Sequence, residues 1–195
     1  MIATLTDPRT VMPFTIDPNK TYTYADYEKL PEGAPYQLIG GKLVMSPSPV
    51  TFHQRISRRI EFELVKFVED RGLGEVFYAP IDVCLSDIDT YQPDIIFIAK
   101  ERGYIIGQKN IEGAPDLVIE ILSPSTECYD LRDKKAVYEK KGVKEYWIVD
   151  PSDKCIEVYE NSGYGFKLIE KACCDGQIYS RLLHGFYVSL SEVFQ

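Results

Sequence analysis

At 195 residues, with 45% hydrophobic and 27% charged side chains, the chain has the length of one domain and the ordinary composition of a soluble globular protein. A formal net charge of −8 excludes a uniformly basic surface of the kind that grips nucleic acid by bulk charge; acidic metal ligands add negative charge of their own, and a local basic face stays open. No run of about 18 apolar residues occurs, and Asp7, Pro8, Arg9, Asp17 and Pro18 interrupt the first residues, so neither a transmembrane helix nor a secretory signal is expected and a cytoplasmic location is.

Residues 1–20 read as an irregular arm, with Pro8, Pro13 and Pro18 spread through it; residues 21–195 read as a single domain. Thr23-Tyr24-Ala25-Asp26 opens a short helix in the manner of a capping box, with Asp in the place of Glu. Pro31 and Gly33 stop it. YQLI and KLVM flank Gly40-Gly41, the pattern of a β-hairpin. After the turn-rich SPSP segment, Phe52, Ile56, Ile60 and Leu64 recur every fourth position, and Phe67 and Val68 continue the stripe. That periodicity predicts an amphipathic helix from about Phe52 to Asp70, ended by Gly72. Arg55, Arg58, Arg59 and Lys66 lie off its apolar centre.

Strands are predicted over Glu75–Ala79, Ile81–Leu85, Asp94–Ala99 and Asp116–Leu122. The last reads DLVIEIL, nearly continuous in apolar residues, as in a strand covered on both faces. A second helix is predicted over Tyr129–Lys141, ended by Gly142, and EYWIVD reads as another buried strand. The remainder alternates, turns at Asn161–Gly165 and reads as a C-terminal β-meander. This order predicts an α/β fold with a mixed central sheet and helices on both faces. The five cysteines, Cys84, Cys128, Cys155, Cys173 and Cys174, are odd in number and match no zinc spacing, so reduced thiols are expected.

Two carboxylates sit in very apolar strand sequence, Asp94 in QPDIIFI and Glu120 in DLVIEIL. A buried carboxylate is costly unless paired or bound to metal. Two of them on neighbouring strands form a natural site for Mg²⁺ or Mn²⁺. Asp116 also follows a proline, but it lies four residues from Glu120 on the same strand, about 13 Å away, so a strand-start role is preferred for it. On the second helix Leu131, Val137 and Tyr138 mark an apolar arc with Lys134 near its middle, which points a cation at the sheet; Asp130, Lys134 and Tyr138 form an i, i+4, i+8 ladder. A snorkelling lysine is the competing explanation on periodicity alone.

YQLIGGKLVMSPSPVTFHQ, QPDIIFI, GAPDLVIEILSPST and the stretch from LRDKKAVYEKKG to EYWIVDP together resemble the Uma-two type restriction-endonuclease family, a branch of the PD-(D/E)XK nuclease superfamily. The resemblance covers about Thr21 to the strand after Pro151 and implies a restriction-endonuclease-like fold and a Mg²⁺- or Mn²⁺-dependent endonuclease acting on nucleic acid, with DNA the expected substrate. A homodimer is the expected assembly because cutting both strands of a duplex is simplest with two sites related by a two-fold axis, the Tyr-rich C-terminal meander being the candidate interface. Carried over by position, it implies that Asp94 and Glu120 hold the metal. It implies that Lys134 replaces the lysine of the (D/E)XK element, whose slot is Leu122 here. His53 and Gln54 match a His-Gln pair of the family. Gln37 stands where the family carries Glu. Together with Asp116 and Tyr138, these three are candidate supporting residues. The departures at Gln37 and Leu122 keep a second reading open: a nuclease fold without turnover, acting in nucleic-acid binding or dimeric regulation.

Overall fold

Glycine chemistry and apolar periodicity set the first elements. A computed structural model describes residues 16–31, 33–123 and 129–195, with Tyr129 and Asp130 described by their backbone alone. The short helix α1 (Tyr24–Tyr27) is capped as its sequence implies, the Asp26 carboxylate accepting the Thr23 N–H at 3.1 Å. Strands β1 (Tyr36–Ile39) and β2 (Lys42–Met45) form the expected hairpin. Gly40 and Gly41 have φ of 56° and 76°, the left-handed pair that a two-residue turn requires and that other residues adopt only with strain.

The long helix α2 (Thr51–Arg71) ends at Gly72, also left-handed, whose N–H returns to Glu69 and Val68. Its stripe of Ile56, Ile60, Leu64 and Val68 is fully buried, each side chain contributing about 1.5–3 kcal/mol on leaving water. Strands β3 (Gly74–Tyr78), β4 (Val83–Ser86), β5 (Asp89–Tyr91), β6 (Ile95–Ala99), β7 (Ile111–Glu112) and β8 (Leu117–Ile121) follow, with a 3₁₀ turn at Lys100–Ile105. A π-helical segment at Tyr129–Lys134 leads into α3 (Lys135–Lys141), then come β9 (Glu145–Asp150), β10 (Cys155–Asn161), β11 (Phe166–Cys173), β12 (Gln177–Tyr179), β13 (Tyr187–Ser189) and α4 (Leu190–Val193).

The predicted mixed central sheet has six strands in the order β11-β10-β9-β8-β6-β3, with β8 and β9 parallel and every other pair antiparallel. One face carries Ile95, Phe97, Leu117, Ile119, Ile121, Trp147 and Val149 into a core closed by α2 and the C-terminal β12–β13 hairpin. The other carries Ile96, Ile98, Val118, Tyr146 and Ile148 into a second core shared with α3 and a five-stranded sheet in the order β2-β1-β5-β4-β7. The short strands β5 and β7 of that second sheet, three and two residues long, left no readable alternation. The expected meander divides: β10 and β11 extend the central sheet, while β12 and β13 form a separate pair.

Two expectations need correction. Cys155 and Cys173 are not reduced thiols but a disulfide, because the β10–β11 register sets them directly opposite one another; Cys84 and Cys174 are free, and Cys128 lies outside the described residues. Leu131 belongs to no buried arc and is 37% exposed. The π-helical start changes the angular step per residue before α3 begins, so a constant 100° spacing misplaces it.

Candidate active site

Asp94 and Glu120 owe their proximity to strand register. Strands β6 and β8 pair antiparallel with Ile95 opposite Ile119 and Ile96 opposite Val118. Continuing that register by one residue sets Asp94 across from Glu120. The Glu120 side chain projects to the face covered by α3, while Asp94, just before β6, reaches the Ile121 N–H and the first turn of α2 at the strand end. Glu120 is 3% exposed and Lys134 only 2%.

The Glu120 carboxylate is gathered from the helical side. Its Oε1 accepts from Lys134 Nζ at 3.1 Å and from the Tyr138 hydroxyl at 2.8 Å. Lys134 and Tyr138 sit one turn apart, and the π-helical segment ends on Lys134. Such a wide turn re-aims a side chain relative to a regular helix. Lys134 Nζ also lies 5.9 Å from the centre of the Tyr91 ring, and the Tyr91 and Tyr138 rings meet edge to face at 5.5 Å. Tyr91 donates to Asp89 at 2.8 Å. Burial first, then that hydrogen bond to Asp89, pushes its phenol well above the ordinary value, so it stays a neutral wall of the site.

The Asp94 carboxylate is gathered from the main chain and from α2. Its Oδ2 accepts the Ile121 N–H at 2.8 Å and lies 3.3 Å from His53 Nε2. The same nitrogen is 3.1 Å from the Ile121 carbonyl oxygen. A carbonyl can only accept, so Nε2 bears the proton and donates it to Ile121, with the Asp94 carboxylate alongside at ion-pair distance. Asp94 Oδ1 takes no hydrogen bond from the described residues. The N-terminal end of α2 is thus at this edge, its partial positive charge accompanied by no acidic side chain in the first turn.

The remaining sequence candidates divide. Gln37 is buried; its Oε1 accepts the Gln92 N–H at 2.9 Å and its Nε2 donates to Ser46 at 3.1 Å. It therefore fixes the backbone two residues before Asp94. Gln54 is exposed on α2 beside His53. Asp116 is fully buried at the opposite end of β8, accepting the Ala99 N–H and paired with Arg102 at 3.0 Å and Lys144 at 2.8 Å. Burial pushes its carboxyl upward, but Lys144, the Ala99 N–H and Arg102 together outweigh burial and hold it below its ordinary value. The structure does not bring Asp116 to the other two carboxylates. Sequence reasoning missed Tyr91, Asp89 and Gln92; an aromatic followed by Gln-Pro-Asp was the available signal.

The donor set fits a hard divalent cation. Among the described residues no three His, Cys, Asp or Glu side chains form a ready-made chelate. Mg²⁺ does not need one, since it is held by one or two carboxylates and otherwise by water and substrate phosphate. Asp94, Glu120 and the Ile121 carbonyl supply oxygen donors of that kind.

Comparison with known proteins gives concordant results. The model of the Uma2 family, described as "Putative restriction endonuclease", matches residues 24–181. A protein of Synechocystis sp. (strain ATCC 27184 / PCC 6803 / Kazusa), "Uncharacterized protein sll1609", is 24% identical over 148 residues, covering 74% of this chain and 83% of that protein. A crystal structure of "a putative nuclease belonging to DUF820" from Anabaena variabilis ATCC 29413 superposes with a TM-score of 0.72 at 23% identity. The match spans 88% of this chain and 97% of that one, and it establishes the fold.

Proposed function

Starting from the chain's membership of the Uma2 family of restriction-endonuclease type, we propose that it is a divalent-metal-dependent endonuclease that hydrolyses phosphodiester bonds, with DNA as substrate and Mg²⁺ or Mn²⁺ as cofactor. The observation that carries the reading is two carboxylates at the adjoining ends of paired strands, Asp94 bonded to the Ile121 N–H next to Glu120, with a buried ammonium on Glu120.

Asp94, Glu120 and the Ile121 carbonyl are the residues to hold the cation. A bound divalent ion there supplies Lewis-acid polarisation of the phosphate and a lowered pKa for water. The protein's own contribution is orientation and charge. The Ile121 N–H holds Asp94 by Oδ2, with the His53 ring beside the same oxygen, which leaves Oδ1 for the cation; ligand carboxylates are commonly fixed by a second layer of polar groups in this way. Tyr138 holds Glu120 in the same manner. Lys134 keeps a positive charge where the pentacovalent phosphate accumulates negative charge, without reorganisation at the moment of reaction. His53, Tyr138 and Gln37 are positioning residues; Gln54 flanks the site and Asp116 braces the far end of β8.

Supercoiled plasmid, linear duplex and single-stranded oligonucleotides incubated with Mg²⁺ and with Mn²⁺ test the proposal. Cleavage by the wild type and its loss in Asp94→Ala support it, and equal cleavage by the two proteins refutes it. A specific observation favours a second reading, a binding module without turnover: Gln37 is spent on main-chain and serine contacts, and Leu122, in the usual lysine slot, is buried in the core. Calorimetric metal binding with no cleavage of any substrate would select that reading.

A further inference from the structure

The outer face of α2 carries an exposed feature that the proposed site does not use. Phe62, midway along the helix, is 64% exposed, and Tyr187, which lines the same groove, is 47% exposed. Tyr187 in turn meets Tyr179, itself 45% exposed, at a ring separation of 5.5 Å. Exposed aromatic residues rimmed by arginine and mixed charge are the composition of a protein interface, and both signs of charge in one groove do not suit a nucleic-acid backbone. The groove between α2 and the C-terminal hairpin has this mixture, with Arg58, Arg59 and Lys66 beside Glu63, Asp70 and Glu192.

The charges have an order. Arg59, Glu63, Lys66 and Asp70 fall within an arc of about 60° on one side of the helix. Their signs alternate, and their spacings of four, three and four read the same in both directions. Reversing the row exchanges each charge for its opposite. Glu63, Lys66 and Asp70 make no ion pair within the chain among the described residues. Arg59 is held by the main-chain oxygens of Val193 and Gln195, not by a carboxylate side chain. We infer that this face binds a second copy of the chain, α2 lying antiparallel against α2 across a two-fold axis between Leu64 and Val65. Arg59 then faces Asp70 of the second copy, Glu63 faces its Lys66, and both pairs recur by symmetry, as an isologous interface requires. Phe62 and Tyr187 supply the apolar part of the contact. On the nuclease reading, this places each His53 about 17 Å along the helix from the axis. The two sites are then roughly 35 Å apart in that direction, about one turn of duplex DNA.

Sedimentation of surface-charge variants tests the inference. The wild type is expected at twice the monomer mass at micromolar concentration, with dissociation promoted by salt. Glu63→Lys sets two pairs of like charges across the axis and is expected to weaken the dimer about tenfold. Adding Lys66→Glu to it restores opposite signs and the dimer. Circular dichroism of these exposed-site variants should match the wild type. A monomeric wild type, a dimer indifferent to Glu63→Lys, or a double variant no better than the single one overturns the inference. So does a monomer whose binding of duplex DNA is abolished by Lys66→Glu, which would assign the face to nucleic acid. Metal titration reads the candidate site separately, so a monomer that still binds Mg²⁺ sinks this inference and leaves the proposed function standing.

Discussion

Replacing Lys134 by Met isolates the charge at the centre of the site. Met nearly matches the lysine stem in length and packs adaptably, so the change removes the ammonium and little else. Glu120 then stays 3% exposed with the Tyr138 hydroxyl still donating at 2.8 Å, but without its cation at 3.1 Å. Breaking a buried ion pair from one side costs about 3–5 kcal/mol; the surviving Tyr138 bond places the expected loss near the lower end, about 3 kcal/mol. Urea unfolding in EDTA measures it. A divalent cation can then offset the orphaned charge, so Mg²⁺ should stabilise the variant by about 1–2 kcal/mol more than it stabilises the wild type at matched concentration. A loss under about 1 kcal/mol in EDTA, or an equal gain from Mg²⁺ in both proteins, would refute the reasoning.

Further outcomes follow from other contacts. His53→Ala removes the ring nitrogen 3.3 Å from Asp94 Oδ2 and should weaken Mg²⁺ binding about tenfold by calorimetry; a dissociation constant within a factor of about two of wild type would contradict that role. Gln37→Leu leaves the Gln92 N–H without its acceptor at 2.9 Å and should cost about 1–3 kcal/mol in denaturant unfolding, with no loss contradicting it. Asp116 has a folded pKa held below 3.8, so its ion pairs stabilise the protein fully above that value and lose their effect as pH falls through the folded pKa. Asp116→Asn should therefore cost about 2 kcal/mol at pH 7. The gap to wild type should close on acidification below the ordinary carboxylate range; a gap that widens there would show the sign to be wrong.

Long-period patterns made much of the fold legible. The stripe at Ile56, Ile60, Leu64 and Val68 gave α2, and the Gly40-Gly41 pair gave the first hairpin. Continuous apolar runs gave β8 and β9, which are buried along almost their whole length. What was lost is what periodicity cannot carry. Strands of two or three residues have no alternation to read, and the π-helical entry to α3 breaks the constant angular step on which Leu131 was placed. A cross-strand disulfide depends on a register that spacing along the chain does not reveal. At the site, an acidic residue in an apolar strand was a usable but unspecific signal. It picked out Asp94 and Glu120, yet Glu145 meets the same description. Glu145 is 1% exposed and fully occupied by Trp147, Ser180 and the N–H groups of Arg181 and Leu182, where it anchors the C-terminal segment. What separated the two cases was the order of motifs along the chain, together with the inward placement of Lys134.

Single-turnover cleavage of duplex DNA by the wild type and by Glu120→Gln, each saturated with Mg²⁺, is the most direct test of a phosphodiesterase site built on that carboxylate. The glutamine keeps the shape and an acceptor for Tyr138 but removes the charge that pairs with Lys134 and that is proposed to bind the cation. The account predicts a rate reduced by about a hundredfold or more, with the folded structure intact by circular dichroism. A variant as fast as the wild type would contradict it.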